Sequence, residues 1–145
     1  MIDGVLTTPV KIISTAGGEV LHAMKQTDTG ACGFGEAYFS MVEAGFIKAW
    51  KRHRLMTLNL VVPVGKIRFV MFDDRQGSQT EGLIESVCLS RENYLRLTIP
   101  PYVWMGFQGL GKRENMLLNI ADIPHKPDEA DRLDLDKISF DWSLI

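Results

Sequence analysis

Apolar residues in this chain come in short runs of five to nine, closed by Gly, Pro, Asp, Asn or Ser. Segments 5–13, 18–24, 36–42, 45–50, 58–64, 66–72, 83–89, 94–100, 103–107 and 115–121 are rich in Val, Ile, Leu, Phe and Tyr, the composition and punctuation of β-strands. Their spacing of about ten residues is that of an all-β sandwich or barrel. Helical signals are few. Ser90-Arg-Glu-Asn93 suits one turn behind a capping serine, and Pro127-Asp-Glu-Ala-Asp131 suits a short helix or turn, since proline fits the first helical position. The pattern therefore predicts a compact antiparallel sandwich or barrel of the jelly-roll kind, with only a few short helical turns.

Composition narrows this little. A chain of 145 residues is expected to form a single domain, residues 1–145. The net charge of −2 gives no sign of a nucleic-acid partner. Cys32 and Cys88 lack metal-ligand spacing, and a disulfide scaffold is not expected with this much apolar content. The N-terminus does not read as a signal peptide, and no apolar run reaches the ~18 residues of a membrane span. The expectation is a reduced, cytoplasmic protein.

Candidate chemistry centres on Lys48, Trp50, Lys51, Arg52, His53 and Arg54. Regular alternation puts Lys51 and His53 on one face of a strand and Lys48, Trp50 and Arg52 on the other. Either the first face lines a pocket for an anion, or the whole stretch is a solvated strand. His22, His53 and His125 form no His-x-His pair and no facial triad, so no metal and no cofactor are expected. The glycines of Thr29-Gly-Ala-Cys-Gly-Phe-Gly35 lack phosphate-loop spacing and read as a turn. Asn59 and Asn119 sit inside apolar strands, where each amide needs a backbone or ligand partner. Trp104 and Phe107 suit either the core or stacking on a sugar or base.

Taken together, Gly45-Phe-Ile-Lys-Ala-Trp50, Val64-Gly-Lys-Ile-Arg-Phe-Val-Met-Phe-Asp73 with Asp74-Arg75, Leu89-Ser-Arg-Glu-Asn93, Leu97-Thr-Ile-Pro100 with Gly106-Phe107, Pro127-Asp-Glu129, Asp134 and Phe140-Asp-Trp142 resemble the dTDP-4-dehydrorhamnose 3,5-epimerase family of the cupin superfamily. The resemblance implies a cupin-type jelly roll, a homodimer, and a nucleotide-diphosphate sugar, a dTDP-sugar first among them, bound inside the barrel. It also implies removal of a proton beside the sugar's ketone and its return on the other face, in deoxysugar or cell-surface polysaccharide biosynthesis.

The chemistry does not carry over position by position. The family's base histidine falls on Lys51 and the arginine before it on Lys48. Its enolate lysine falls near Leu58, and its acid tyrosine near Leu118, beside Asn119. The nucleotide-contacting Arg-Gly pair falls on Gly17-Gly18 and the following glutamate on His22. The base-orienting aspartate falls on Asp134 or, one step along, Asp136.

Abstraction of a proton beside a ketone needs a base near its working pKa and a cation or donor for the enolate. His53, two residues beyond Lys51, is the natural substitute base. Lys51 is then the second proton-handling or charge-stabilising group, and Asp134 the residue that orients the base. Lys48, Trp50, Asn59, Arg68, Trp104 and Asn119 are the expected substrate contacts. The competing expectation is a catalytically silent cupin that binds a sugar nucleotide or another small anion.

Overall fold

The computed structural model describes residues 1–143. Two sheets of five strands face each other, and their inner faces supply the core. The strands are β1 (Leu6–Pro9), β2 (Ile12–Thr15), β3 (Gly18–Leu21), β4 (Glu36–Val42), β5 (Ile47–His53), β6 (Leu58–Val64), β7 (Lys66–Phe72), β8 (Ile84–Ser90), β9 (Leu95–Ile99), β10 (Trp104–Gly109), β11 (Asn115–Ala121) and β12 (Ala130–Arg132). Sheet one runs β1-β9-β6-β11-β4 and sheet two β12-β5-β10-β7-β8, with β2-β3 a separate hairpin. Every pairing between these strands is antiparallel. This is the jelly-roll sandwich of the cupin type that the strand pattern and the resemblance imply.

Period-two patterning explains the core. Leu58, Leu60 and Val62 of β6, Ile67, Phe69 and Met71 of β7, and Leu97 and Ile99 of β9 point inward and are buried. The run 5–13 does not stay one strand. It breaks after Pro9, so that β1 pairs with β9 while β2 turns out to pair with β3. The 127–131 segment forms a 3-10 turn at Pro127–Glu129 and then the short edge strand β12. Between β6 and β7 the chain reverses at Gly65, whose φ of +77° favours glycine and whose β-carbon would meet the Glu114 carbonyl oxygen at 2.3 Å.

A second apolar layer lies outside sheet two. Trp50, Val70 and Trp104 point outward and are covered by Ile138, Phe140 and Trp142 of the C-terminal segment. β5 carries one extra residue against β10: Lys51 stands opposite Met105, yet Lys48 stands opposite Phe107. This bulge carries Ala49 over Gly106, where a β-carbon would come 2.5 Å from Ala49 Cβ and 3.2 Å from Trp142 Cη2. Gly106→Val is therefore expected to cost about 3 kcal/mol through overpacking of a layer with no slack. The urea midpoint should fall accordingly, and an unchanged midpoint would show that the outer layer can give way.

Candidate active site

The bulge decides which basic residues share a face. Alternation alone puts Lys48 with Trp50 and Arg52. The structure corrects this, because Met105 and Phe107 both point inward and carry their partners Lys51 and Lys48 with them. Lys48, Lys51 and His53 thus line one inner wall. Arg52 and Arg54 lie outside and are paired: Arg52 contacts Asp74 at 3.0 Å and Asp131 at 2.9 Å, and Arg54 contacts Asp131. The basic stretch is half pocket wall and half neutralised surface.

His53 is the chemically informative member. It is 7% exposed, and its Nδ1 meets Oε1 of Glu129, itself 5% exposed. The other oxygen of Glu129 accepts the backbone N–H groups of Arg54, Leu55 and Met56 at 3.2, 3.0 and 3.3 Å. Burial opposes ionisation of Glu129, but the hydrogen bonds from His53, Leu55 and Met56 outweigh it and hold the carboxyl below its ordinary range. An ionised Glu129 can only accept, so Nδ1 of His53 carries the proton and Nε2 keeps its lone pair. Nε2 has no hydrogen-bond partner among the described residues and keeps accessible surface. Burial pushes His53 below its ordinary value, with Lys51 and Arg132 adding to the effect and Glu129 opposing it. The result is a neutral base of fixed tautomer at neutral pH.

Lys51 is half buried and has its own pKa lowered, first by desolvation and then by Arg132, while Glu129 and Glu36 oppose the shift. Lys48 and Lys51 line a cavity of about 620 Å³ with Met105, Phe107, Arg132, Asp134 and Lys137. Four cations against one carboxylate make this space attractive to an anion. Lys48 reaches the opposite wall, donating to the Met41 carbonyl at 2.8 Å.

The structure brings together Lys48, Lys51 and Asp134 at the cavity and sets His53 beside Lys51 on the same wall. The orienting contact to His53 comes from Glu129 rather than Asp134. Asn119 points inward, with Nδ2 donating to the Tyr38 hydroxyl at 3.1 Å. Trp50 borders the cavity from the outer-layer side, and the remaining expected contacts lie elsewhere. Trp50 is buried in the outer layer, donating to the Leu135 carbonyl at 3.2 Å, and its ring lies 5.5 Å from that of Trp142. Trp104 donates to Asp74 at 2.8 Å beneath the Arg52 guanidinium. Arg68 is sandwiched near Phe140 and Trp142 and donates to Gln108 and the Trp142 carbonyl. Asn59 points away from the core and holds Gly30 and Thr98, at 2.9 and 2.7 Å. Trp104, Arg68 and Asn59 serve the barrel wall, away from the cavity.

Sequence reasoning missed Glu129, Arg132 and Lys137. Glu129 stands 76 positions from His53, and only the pairing of Ala130 with His53 brings it there. Its presence in the Pro127-Asp-Glu129 piece was the one signal available.

A neutral, carboxylate-held histidine on the inner wall of a jelly roll, beside a cationic cavity, is the equipment of a barrel enzyme that moves protons on an anionic substrate. Comparison with known proteins narrows the class. No protein-family model matches the chain. The chain is 41% identical to a dTDP sugar isomerase from Desulfovibrio desulfuricans G20, with a TM-score of 0.94 over 98% of this chain and 92% of that one. It is 30% identical over 112 residues, 74% of its own length and 72% of the relative's, to a probable low-salt glycan biosynthesis epimerase of Haloferax volcanii. A dTDP-4-dehydrorhamnose 3,5-epimerase from Sulfolobus tokodaii shares the fold at 23% identity, with a TM-score of 0.81 over 95% of this chain and 81% of that one. The chain belongs to the dTDP-4-dehydrorhamnose 3,5-epimerase family, and it is a nucleotide-sugar epimerase or isomerase.

Proposed function

We propose that this enzyme enolises a dTDP-linked 4-keto sugar, with His53 Nε2 as the base. The observation that carries the reading is the His53–Glu129 pair, which leaves a neutral imidazole with its lone pair free. Glu129 holds the ring and stabilises the imidazolium that forms. Lys51 lies on the same wall and supplies positive charge to the enolate oxygen as it develops. Lys48, Arg132 and Lys137 receive the diphosphate at the cavity, and Asp134 limits their mutual repulsion. The relative from D. desulfuricans, described as a dTDP sugar isomerase, supports thymidine as the nucleoside. The relatives described as an isomerase and an epimerase favour this reading over a silent binding cupin.

A cytoplasmic homodimer completes this reading. Phe39 and Met41 stand exposed on the outer face of the edge strand β4, a row that a second copy would cover, and both cysteines are free.

The test is proton exchange in deuterated water with dTDP-4-keto-6-deoxyglucose, following the C3 and C5 proton signals by NMR. Protein-dependent loss of either signal is expected, and its absence at high enzyme concentration would overturn the reading. The rate should fall on acidification, with the limb set by His53 lying below the ordinary 6.5, because burial depresses that group. The sign for stability is the same: the unfolded chain binds this proton more readily, so stability present above 6.5 is lost as pH falls.

A further inference from the structure

Inversion at carbon needs a second proton-handling group, because a base that returns its own proton on the same face restores the starting configuration. This inference rests on the enolising role of His53 and asks what stands opposite it. The family's tyrosine position falls at Leu118, but Leu118 is paired with Val61 and Phe39 on the outer face of sheet one. The next residue, Asn119, points inward and stands directly across from Tyr38 on β4.

Tyr38 is placed as a donor would be. The two walls face each other here: Glu36, two residues before it on the same inner face of β4, is near enough to Lys51 to act on its charge, and Lys48 reaches the β4 backbone at Met41. Tyr38 is 40% exposed, whereas Asn119 is 1% exposed. The Asn119 amide cannot be reversed, because its Oδ1 accepts the backbone N–H of Asn59 at 3.2 Å. Its Nδ2 therefore donates to Tyr38 Oη at 3.1 Å. A phenol oxygen that accepts this bond keeps its own O–H free to donate elsewhere, and the same amide N–H stabilises the phenolate left after the proton has gone.

We propose that Tyr38 is the proton donor that completes inversion, a catalytic acid supplied by β4 in place of the tyrosine that β11 lacks. His53 Nε2 takes the proton from the carbon beside the ketone. The C–H pair becomes the C=C bond of the enolate, and the carbonyl π pair moves to oxygen. On return, the oxygen pair re-forms the carbonyl and the C=C pair takes the proton of Tyr38 Oη on the opposite face. The tyrosinate regains a proton from solvent, and the His53 imidazolium releases one to it, so nothing is consumed. Asn119 acts through Tyr38 as a positioning residue.

The experiment compares exchange with inversion in one sample. Wild type and Tyr38→Phe are incubated in deuterated water with dTDP-4-keto-6-deoxyglucose; deuterium incorporation is read by NMR and epimer formation by chromatography of the products. Wild type is expected to do both. Tyr38→Phe is expected to keep exchange within about twofold, with configuration retained, and to form epimer about 100-fold more slowly. Retained exchange also reports that the variant is folded. Epimer formation at the wild-type rate in Tyr38→Phe would overturn the proposal, as would equal loss of exchange and inversion, or exchange without inversion in wild type. Absence of exchange in wild type would instead remove the enolising role of His53 on which the proposal stands.

Discussion

His53→Ala is expected to slow exchange beside the ketone by about a thousandfold, within the 10²–10⁴ that a positioned general base contributes. The expectation follows from the arrangement of one side chain. Glu129 fixes Nδ1 as the donor, and burial keeps the imidazole neutral, so the lone pair on Nε2 is ready without a prior deprotonation. Lys51 sits on the same wall, and desolvation and Arg132 lower its pKa, so it is the competing base. The two assignments separate cleanly. If Lys51 is the base, Lys51→Ala abolishes exchange and His53→Ala leaves most of it; with His53 as base the order reverses. The His53→Ala protein should remain folded, since Glu129 keeps its three backbone N–H partners. Rates of signal loss in deuterated water, measured for both variants under identical conditions, decide between them.

Glu129→Gln carries the second large effect, a loss of about 10²–10⁴ in exchange rate, by analogy with the cost of replacing the carboxylate of a Ser-His-Asp triad by an amide. A glutamine can present either its oxygen or its N–H to Nδ1. When the N–H faces the ring, Nδ1 must accept, the proton moves to Nε2, and the base is lost. The pH profile gives an independent signature. Glu129 is a group that raises the His53 pKa, so its neutralisation should move the acid limb to still lower pH while the rate falls. A purely structural role for Glu129 would lower the rate and leave the limb in place. Glu129→Ala goes further, stranding His53 and three backbone N–H groups, and is expected to cost about 3–5 kcal/mol in stability. In the native protein the Glu129 pKa lies below its ordinary 4.5, so its contribution is present above that value and is lost on acidification.

The balance between sequence and fold is instructive at β5. Periodicity showed a strand, showed cations, and singled out His53 by its ordinary pKa and its place two residues beyond Lys51. It could not show the bulge opposite Gly106, because an extra residue in one strand is visible only against its partner. Alternation therefore sent Lys48 to the wrong face. The same limit explains the tryptophans. Trp50 reads as a substrate contact and Trp104 as a stacking platform or core in isolation, and both become core only when the C-terminal segment folds over the outside of sheet two. Asn59 and Asn119 are both buried amides within apolar strands. Asn59 lies between the inward Leu58 and Leu60 and so faces outward to the Gly30 loop, while Asn119 points in and holds Tyr38.

What the sequence determined by itself was local or periodic: short strands with period-two burial, turns closed by glycine and proline, and motif pieces in an order that marks the family. Those properties depend on neighbours a few residues apart, and so a linear reading recovers them. The tertiary structure alone decided which side of the wall each polar group faces, that Glu129 rather than Asp134 holds the base, and that Tyr38 stands across from Asn119. The last two are contacts over 76 and 81 positions, the first follows from the register of β5 on β10, and no local pattern encodes strand order or register.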